Sequence, residues 1–339
     1  MSVMLQYGII AYLLWAIGGG AFYFTFKPNI SILEMFRSIY ELTLWISLPI
    51  LVAVMVLNEW YLLPFAGVVM LIFIGIYTPY LIPRQPKINH DMPQIRVMTF
   101  NLNMTSKGIV DAIRSTHADV VTLQELSQDS AATVQQLSDI YPYMALHPQK
   151  VDYVGQGILS KYPILKDEYW EYPEVENTLG HQRVEIDFNG MSIVIYNTHP
   201  WPPLEWETGY DDASHRIVLE NIAQRTFAEE LPLILAGDFN MTPNFEEYDL
   251  FASQFTDSYW VAGDGLGFTY PTHTKLIPSF FRLDYIWHSK HFQSVSAQVW
   301  HNHGESDHAP VVSTLALKAH TAILSLNTHT MKASLAATW

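Results

Sequence analysis

Between Met1 and Phe26 there is no charged side chain, and no other feature restricts the possible folds of this chain as strongly. The stretch from Tyr7 to Phe26, coiled at ~1.5 Å per residue, is long enough to cross a hydrocarbon core of ~30 Å. Two more uncharged runs follow, Leu42 to Asn58 and Trp60 to Pro83, separated only by Glu59. They read as a helical hairpin. The alternative for each run is a buried core helix and, for the first, a cleaved signal peptide. A signal peptide needs basic residues before its apolar run, and no Lys or Arg precedes Tyr7. Pro49, Pro64 and Pro79 are tolerable in spanning helices whose neighbours satisfy the freed carbonyls. The expectation is a membrane domain over residues 1–83 with three transmembrane helices.

The charge distribution separates this part from the rest. Residues 1–91 hold four basic side chains (Lys27, Arg37, Arg84, Lys87) and four acidic ones, so the whole net charge of -15 lies downstream. With three spans, all four basic residues fall on one side. The positive-inside rule then makes this an integral protein of the cell membrane with its downstream domain in the cytoplasm; if the middle run does not span, the side reverses. Residues 84–93, with Pro86 and Pro93, read as a short stiff linker. An acidic domain without a Lys/Arg-rich run excludes a generic duplex-binding module, because carboxylates repel phosphate backbones unless bound metal reverses the local sign. The chain has no cysteine. That excludes disulfides, thiolate zinc sites and a cysteine nucleophile.

From Gln94 onward the pattern becomes short β-rich runs alternating with helical stretches. Strands are expected at Ile95–Leu102, Val120–Glu125, Gly157–Tyr162, Arg183–Phe188, Ser192–Thr198, Leu231–Asp238, Leu283–Trp287 and Ala309–Leu315. Asn189-Gly190 is a two-residue hairpin signal, so the sheet system is mixed. Helices are expected at Gly108–His117, Ala131–Ile140 and Ala213–Glu230, the last presenting Ile217, Leu219, Ile222 and Phe227.

Polar residues collect at the ends of these apolar strands. Leu233 to Ala236 runs into Gly237-Asp238-Phe239-Asn240, and the two-residue spacing puts Asp238 and Asn240 on one face of an extended backbone. Tyr196-Asn197-Thr198-His199 repeats that spacing with Asn197 and His199. Asn101 and Gln124-Glu125 end two upstream strands, while Asp284 and Ser306-Asp307-His308 precede two downstream ones. Alone, a strand-end Asp or Asn is more often a turn or cap residue than a catalytic one.

Together these stretches resemble the endonuclease/exonuclease/phosphatase superfamily of DNase I-like proteins. The matching segments are Thr99-Phe100-Asn101-Leu102, Leu123-Gln124-Glu125-Leu126, Gly157 to Ile164, Asn197-Thr198-His199, Gly237-Asp238-Phe239-Asn240, Leu283-Asp284-Tyr285-Ile286 and Ser306-Asp307-His308, in family order over Asn101 to His308. The resemblance implies an α/β (α+β) fold, a four-layer sandwich of two mixed β-sheets flanked by helices, over residues 94–318. It also implies hydrolysis of a phosphodiester or phosphomonoester by in-line attack of water. Asn101, Glu125 and Asp307 are the expected ligands of Mg²⁺ or Mn²⁺, a hard oxygen set. By the same resemblance, Asp238 orients or deprotonates the water, Asn240 positions water and phosphate, and His199 and His308 bind phosphate oxygens. Asp284 fixes the His308 imidazole, and Asn197 supports the phosphate or water site.

Other readings stay open at the sequence level. The anchor favours a lipid headgroup or another membrane-associated phosphate ester of the sphingomyelinase or phospholipase C kind. An inositol phosphate or short nucleic acid would use the same residues, as would a membrane-tethered nuclease. A noncatalytic membrane scaffold is the alternative from another class. No feature points to a protein partner. Trp201-Pro202-Pro203 is either a substrate loop or a packed turn; Phe268, Tyr270 and Phe280-Phe281 either shape a substrate lip or complete a core. Ser160 and Lys161 read as structural. His181, His215, His301 and His303 lie outside any motif, which points to surface or satisfied polar roles. Residues 319–339, a tail of Ala, Thr, Ser and Leu, carry no functional signal.

Overall fold

The architecture is described from a computed structural model that covers residues 3–25, 31–82, 92–149, 153–173, 175, 179–205, 209–210, 212–272 and 278–318. Lys27, Arg84, Lys87, most of the expected linker and the tail 319–339 lie outside the described residues.

The N-terminal part is helical: α1 (Val3–Thr25), α2 (Ser31–Leu44), α3 (Ser47–Val56) and α4 (Leu63–Leu81). Three helical stretches are long and apolar enough to cross a membrane, Met4–Thr25, Leu33–Val56 and Trp60–Tyr80. The second differs from the expected run Leu42–Asn58, because α2 begins earlier and carries Glu34, Arg37, Ser38 and Glu41. A turn at Trp45-Ile46 separates α2 from α3. Pro49 accounts for it, since its ring excludes the carbonyl of Trp45. Of the 26 exposed large hydrophobic side chains among the described residues, 20 lie between Met4 and Ile82, the surface expected of helices solvated by hydrocarbon.

Downstream, the chain runs β1 (Gln94–Asn101), α5 (Ile109–Thr116), β2 (Val120–Gln124), α6 (Gln128–Val134), β3 (Tyr143–His147), β4 (Gln156–Ser160) and β5 (Ile164–Trp170). It continues with β6 (His181–Phe188), β7 (Met191–Thr198), the short pair β8 (Leu204–Glu205) and β9 (Gly209–Tyr210), α7 (Ala213–Phe227) and β10 (Leu233–Asp238). It closes with α8 (Glu246–Ala252), β11 (Thr256–Asp257), α9 (Ser258–Ala262), β12 (Asp284–His288), β13 (Phe292–Val299) and β14 (Val311–Leu317). One sheet has the order β13-β14-β1-β2-β4-β3 and the other β11-β12-β10-β7-β6-β5. Both are mixed: β1 runs parallel to β2 and antiparallel to β14, and β10 runs parallel to β7 and antiparallel to β12.

Strand alternation builds the layers. Val97 and Val120 face inward to meet Ile195, Ile234 and Ile286 of the second sheet. Their neighbours Met98 and Val121 face outward under α5, while Val194 and Leu235 face outward under α7 and α8. Each fully buried Val or Ile contributes ~1.5–3 kcal/mol, so this inner layer is the main source of stability. On α7 the buried stripe is His215, Val218, Leu219, Ile222, Ala223 and Thr226. Ile217 is instead exposed, because it falls off that three-and-four spacing, and Phe227, the last residue of the helix, is partly exposed while packing on Phe251 and Phe255. The Asn189-Gly190 signal forms the β6–β7 turn, with φ of 55° and 83° at the two residues.

The two parts are locked together by polar contacts. The carboxylate of Glu34 on α2 pairs with Arg216 of α7 at 3.0 Å and accepts the backbone N–H of Glu246 at 2.9 Å. Arg216 also reaches Glu247 at 3.3 Å. The hydroxyls of Ser38 and Thr242 meet at 2.6 Å, and Tyr80 packs edge-on against Trp260. Glu34 and Glu247 are 1% and 3% exposed, so Arg216→Ala would leave two buried carboxylates without their cation. The expected cost is about 3–5 kcal/mol, read as a lower denaturant midpoint in detergent. Arg216→Lys should recover most of it.

Candidate active site

The strand order brings the ends of β1, β2, β7, β10 and β12 to one edge. At β10 this requires glycine: Gly237 has φ 150°, and a Cβ there would lie 2.0 Å from the carbonyl oxygen of Thr198. Asp238 follows at the strand end, 1% exposed. Beyond it the backbone turns, and Asn240 adopts a left-handed φ of 49°. The expectation that extended backbone aligns Asp238 and Asn240 is therefore corrected. They are held instead by a turn in which the Asn240 N–H donates to Asp238 Oδ1 at 2.9 Å. The Asn240 amide also donates to the Pro200 carbonyl at 3.0 Å, tying this turn to the loop after His199.

Asp238 is the centre of the group. Asn101 Nδ2 donates to Asp238 Oδ2 at 3.0 Å and to Glu125 Oε1 at 2.8 Å. His199 Nε2 lies 3.7 Å from Asp238 and 3.8 Å from Glu125, and His308 Nε2 lies 3.6 Å from Asp238. On its other side, His308 Nδ1 is 2.9 Å from Asp284 Oδ2. Ser306 closes the loop by donating to the Asn101 carbonyl at 2.7 Å and accepting the His308 N–H at 3.0 Å. Asp307 adjoins the group, and its negative charge acts on Glu125, Tyr270 and His308.

The electrostatics divide the two histidines. Burial pushes His199 down to about 4 against the pull of Asp238, so it is neutral. Burial also works against a charged His308, but Asp284, Asp238 and Asp307 outweigh it and push the imidazole up to about 10. Glu125 is pushed up to about 8, chiefly by burial and with Asp238 and Asp307 adding to it, while Asn101 and His308 oppose. Asp238 is raised by burial first, with Asp284 adding and both histidines opposing.

Two observations bear on a metal. Glu125 Oε2 is buried with no hydrogen-bond partner, and Glu125 holds a left-handed φ of 53° that aims its side chain at the group. An orphaned carboxylate oxygen beside Asp307 suits a hard divalent cation, while Asn101 turns its NH₂ to Glu125 and its oxygen accepts the Asn103 N–H at 2.9 Å. Asp238, Asp284 and His308 also have ligand atoms within 4.8 Å of one another. Their hydrogen bonding argues against an ion there, because His308 Nδ1 is committed to Asp284 and a cationic ring repels a cation.

The structure thus gathers Asn101, Glu125, His199, Asp238, Asn240, Asp284, Asp307 and His308 at one edge. It does not bring Asn197 into the group. That amide donates to the carbonyls of Leu123 at 2.8 Å and Gly157 at 3.3 Å and accepts from Gln124 Nε2 at 2.6 Å, clasping the two sheets beneath the site. Three supporting residues had been given no role at the site. Gln124 holds Asn197, Thr272 donates to the carbonyl of Ser306 at 2.7 Å, and Tyr270 packs at a tilt against His308 with centroids 4.8 Å apart. Tyr270 was expected either to shape a substrate lip or to complete a core. His181 and His215 are buried; His181 Nδ1 shares a hydrogen bond with Thr198 Oγ1, and His215 Nε2 donates to the Phe239 carbonyl.

A profile of the Endonuclease/Exonuclease/phosphatase family matches residues 98–308. Among curated proteins, nocturnin from Homo sapiens is 33% identical over 121 residues and that from Rattus norvegicus 32% over 123. Each match covers 34% of this chain and 28% of the nocturnin chain, so the aligned segment is a minor part of those relatives. Among solved structures, an endonuclease/exonuclease/phosphatase from Bacteroides vulgatus superposes with a TM-score of 0.55 at 16% identity, covering 67% of this chain and 100% of that one. Humanized D. rerio TDP2 gives 0.54 at 17%, covering 66% and 98%. These likenesses establish a shared fold.

Proposed function

We propose that this chain, which belongs to the endonuclease/exonuclease/phosphatase family, is a membrane-anchored, divalent-metal-dependent hydrolase of phosphate esters. The observation that carries the reading is the convergence of Asp238, His308, His199 and Glu125 on one buried edge, with an orphaned carboxylate oxygen at Glu125. Glu125, with the Asn101 carboxamide oxygen and Asp307, would hold Mg²⁺ or Mn²⁺. When bound, such an ion offsets charge on the nonbridging and leaving oxygens.

The protein's own groups supply the rest. Asp238 takes a hydrogen bond from the attacking water and accepts its proton as the new P–O bond forms and the P–O bond opposite it breaks, the leaving oxygen departing with the electron pair and taking its proton from solvent. Asn101 and the Asn240 N–H fix that carboxylate by occupying one lone pair on each oxygen. His308, kept cationic by Asp284, donates from Nε2 to a phosphate oxygen as negative charge grows there. His199, neutral, donates from Nε2 on the opposite side. Asn240 positions water and phosphate through its carboxamide oxygen. Replacement of a hydrogen-bond donor aimed at developing charge costs ~10²–10³-fold in comparable sites. The three apolar helical stretches read as transmembrane spans, with the catalytic domain on the cytoplasmic face.

The test is hydrolysis by the detergent-solubilised full chain with Mg²⁺ or Mn²⁺, across phospholipid, inositol-phosphate and short single-stranded nucleic-acid substrates. The expected result is metal-dependent release of product from at least one class. Silence across the panel by folded, metal-loaded protein would leave a scaffold.

A further inference from the structure

A cavity of about 20 Å³ opens at the junction between the helical part and the catalytic domain. One wall comes from helices long and apolar enough to cross a membrane, with Leu42 of α2 and Tyr77 and Tyr80 of α4. The other wall comes from the catalytic domain, with Pro243, Phe281 and Arg282. Pro243 lies three residues beyond Asn240, so the cavity borders the turn that holds Asp238.

Two observations link this cavity to a ligand. Arg282 is 3% exposed; it pairs with Asp257 through Nη2 and lies over the rings of Tyr259 and Tyr285, but its Nε and Nη1 are buried with no hydrogen-bond partner. A buried guanidinium with open N–H donors calls for an acceptor oxygen, because leaving such donors unpaired costs ~1–3 kcal/mol or more. Phe281 and Tyr270 are directly opposed in an antiparallel bridge, which turns their side chains to the same face. Tyr270 packs at a tilt against His308 and Phe281 lines the cavity. One aromatic surface therefore runs from the phosphate end of the site to the junction.

Building on the hydrolase reading, we infer that the substrate is a bilayer lipid carrying a phosphate ester. Its phosphorus centre sits against His308 and Asp238. Its backbone crosses Tyr270 and Phe281, and an oxygen of that backbone, an ester carbonyl or a hydroxyl, meets Arg282. A volume of about 20 Å³ admits a single oxygen-bearing group, so the acyl chains stay in the bilayer beside Ile39 of α2 and Trp45 of the turn that follows it, both exposed. Glycerol-based and sphingoid-based lipids share this chemistry.

The experiment compares three probes on the full-length protein with Mn²⁺: bis(p-nitrophenyl) phosphate, phosphatidylglycerol in mixed micelles and sphingomyelin in mixed micelles. Leu42→Trp fills the cavity from the membrane side without touching the catalytic edge, and Phe281→Ala removes the aromatic floor. Both variants are expected to lose at least tenfold in kcat/KM for one of the two lipids. Leu42→Trp should also retain hydrolysis of the soluble diester within about twofold. Which lipid responds identifies the backbone. An equal loss on lipid and soluble diester, or turnover of neither lipid by a wild-type protein that cleaves the soluble diester or a short oligonucleotide, would overturn the lipid assignment alone. Failure of wild type on every phosphodiester would instead overturn the hydrolase reading beneath it.

Discussion

Asp238→Asn is expected to lower phosphodiester turnover by the full-length protein more than ~10²-fold while leaving it folded. Asp238 is the one carboxylate approached by both histidines, and its two oxygens already accept from Asn101 and the Asn240 N–H. An amide in its place cannot accept a proton from water, and its NH₂ would face one of those donors. His308→Ala should fall in the same range, because it removes the cation that answers charge growing on phosphate. Asp284→Asn tests a positioning role: Asp284 touches the imidazole and holds it at 2.9 Å, so kcat should fall with little change in KM. Steady-state kinetics with a thermal melt on each variant checks all three. Full activity in both Asp238→Asn and His308→Ala would mean the roles are misassigned.

Glu125→Gln is expected to move stability and activity in opposite directions. Without metal, Glu125 is a buried carboxylate with one orphaned oxygen and Asp238 and Asp307 nearby. Above about pH 8, where Glu125 is ionised, removing its charge should hold or raise the melting temperature of metal-free protein. In the wild type, Mn²⁺ at 100 times its dissociation constant should add ~2.7 kcal/mol. The variant should lose most of that gain and fall more than ~10²-fold in activity, since the ion's neutralisation of leaving-group charge goes with it. Melting curves with EDTA and with Mn²⁺ separate the outcomes. An unchanged metal-induced shift would remove Glu125 from the ligand set.

Acid should destabilise the fold independently of catalysis. Burial pushes His181 down to about 3 and His288 down to about 4, so both are neutral in the native state. Unfolded, each has its ordinary value near 6.5. The unfolded chain therefore binds more protons below about pH 6.5, and stability present above that pH is lost as pH falls towards the folded values. The expected loss is on the order of several kcal/mol between pH 7 and pH 4. Urea midpoints at pH 7, 5.5 and 4.5 in EDTA would show it; equal midpoints would contradict it.

The central strands were legible in the sequence because burial on both faces leaves uninterrupted apolar runs, as in Leu233 to Ala236. The strands that escaped notice, β3, β5, β11 and β13 and the short pair β8 and β9, all lie at sheet edges. Edge strands carry polar side chains, such as Lys166, Asp167 and Glu168 on β5, which mask the period of two. The site was legible as residue types at strand ends, and the described structure brings eight of those nine residues together. Asn197 was the exception, since spacing along one strand does not reveal an amide committed to the opposite sheet. The junction was not legible at all. Glu34 on α2 and Arg216 on α7 are far apart in sequence, and only the packing of the helices against the Thr242–Glu246 loop brings them together.

The central claim is that water attacks phosphorus at Asp238 with a divalent ion held by Glu125. It is tested most directly by one turnover assay in ¹⁸O-water, using bis(p-nitrophenyl) phosphate with the wild type and Asp238→Asn, in EDTA and in Mn²⁺. The account predicts that the wild type with Mn²⁺ places one ¹⁸O in the phosphate product, and that both EDTA and Asp238→Asn abolish turnover. Label in the released alcohol, or undiminished turnover in EDTA or in the variant, would contradict it.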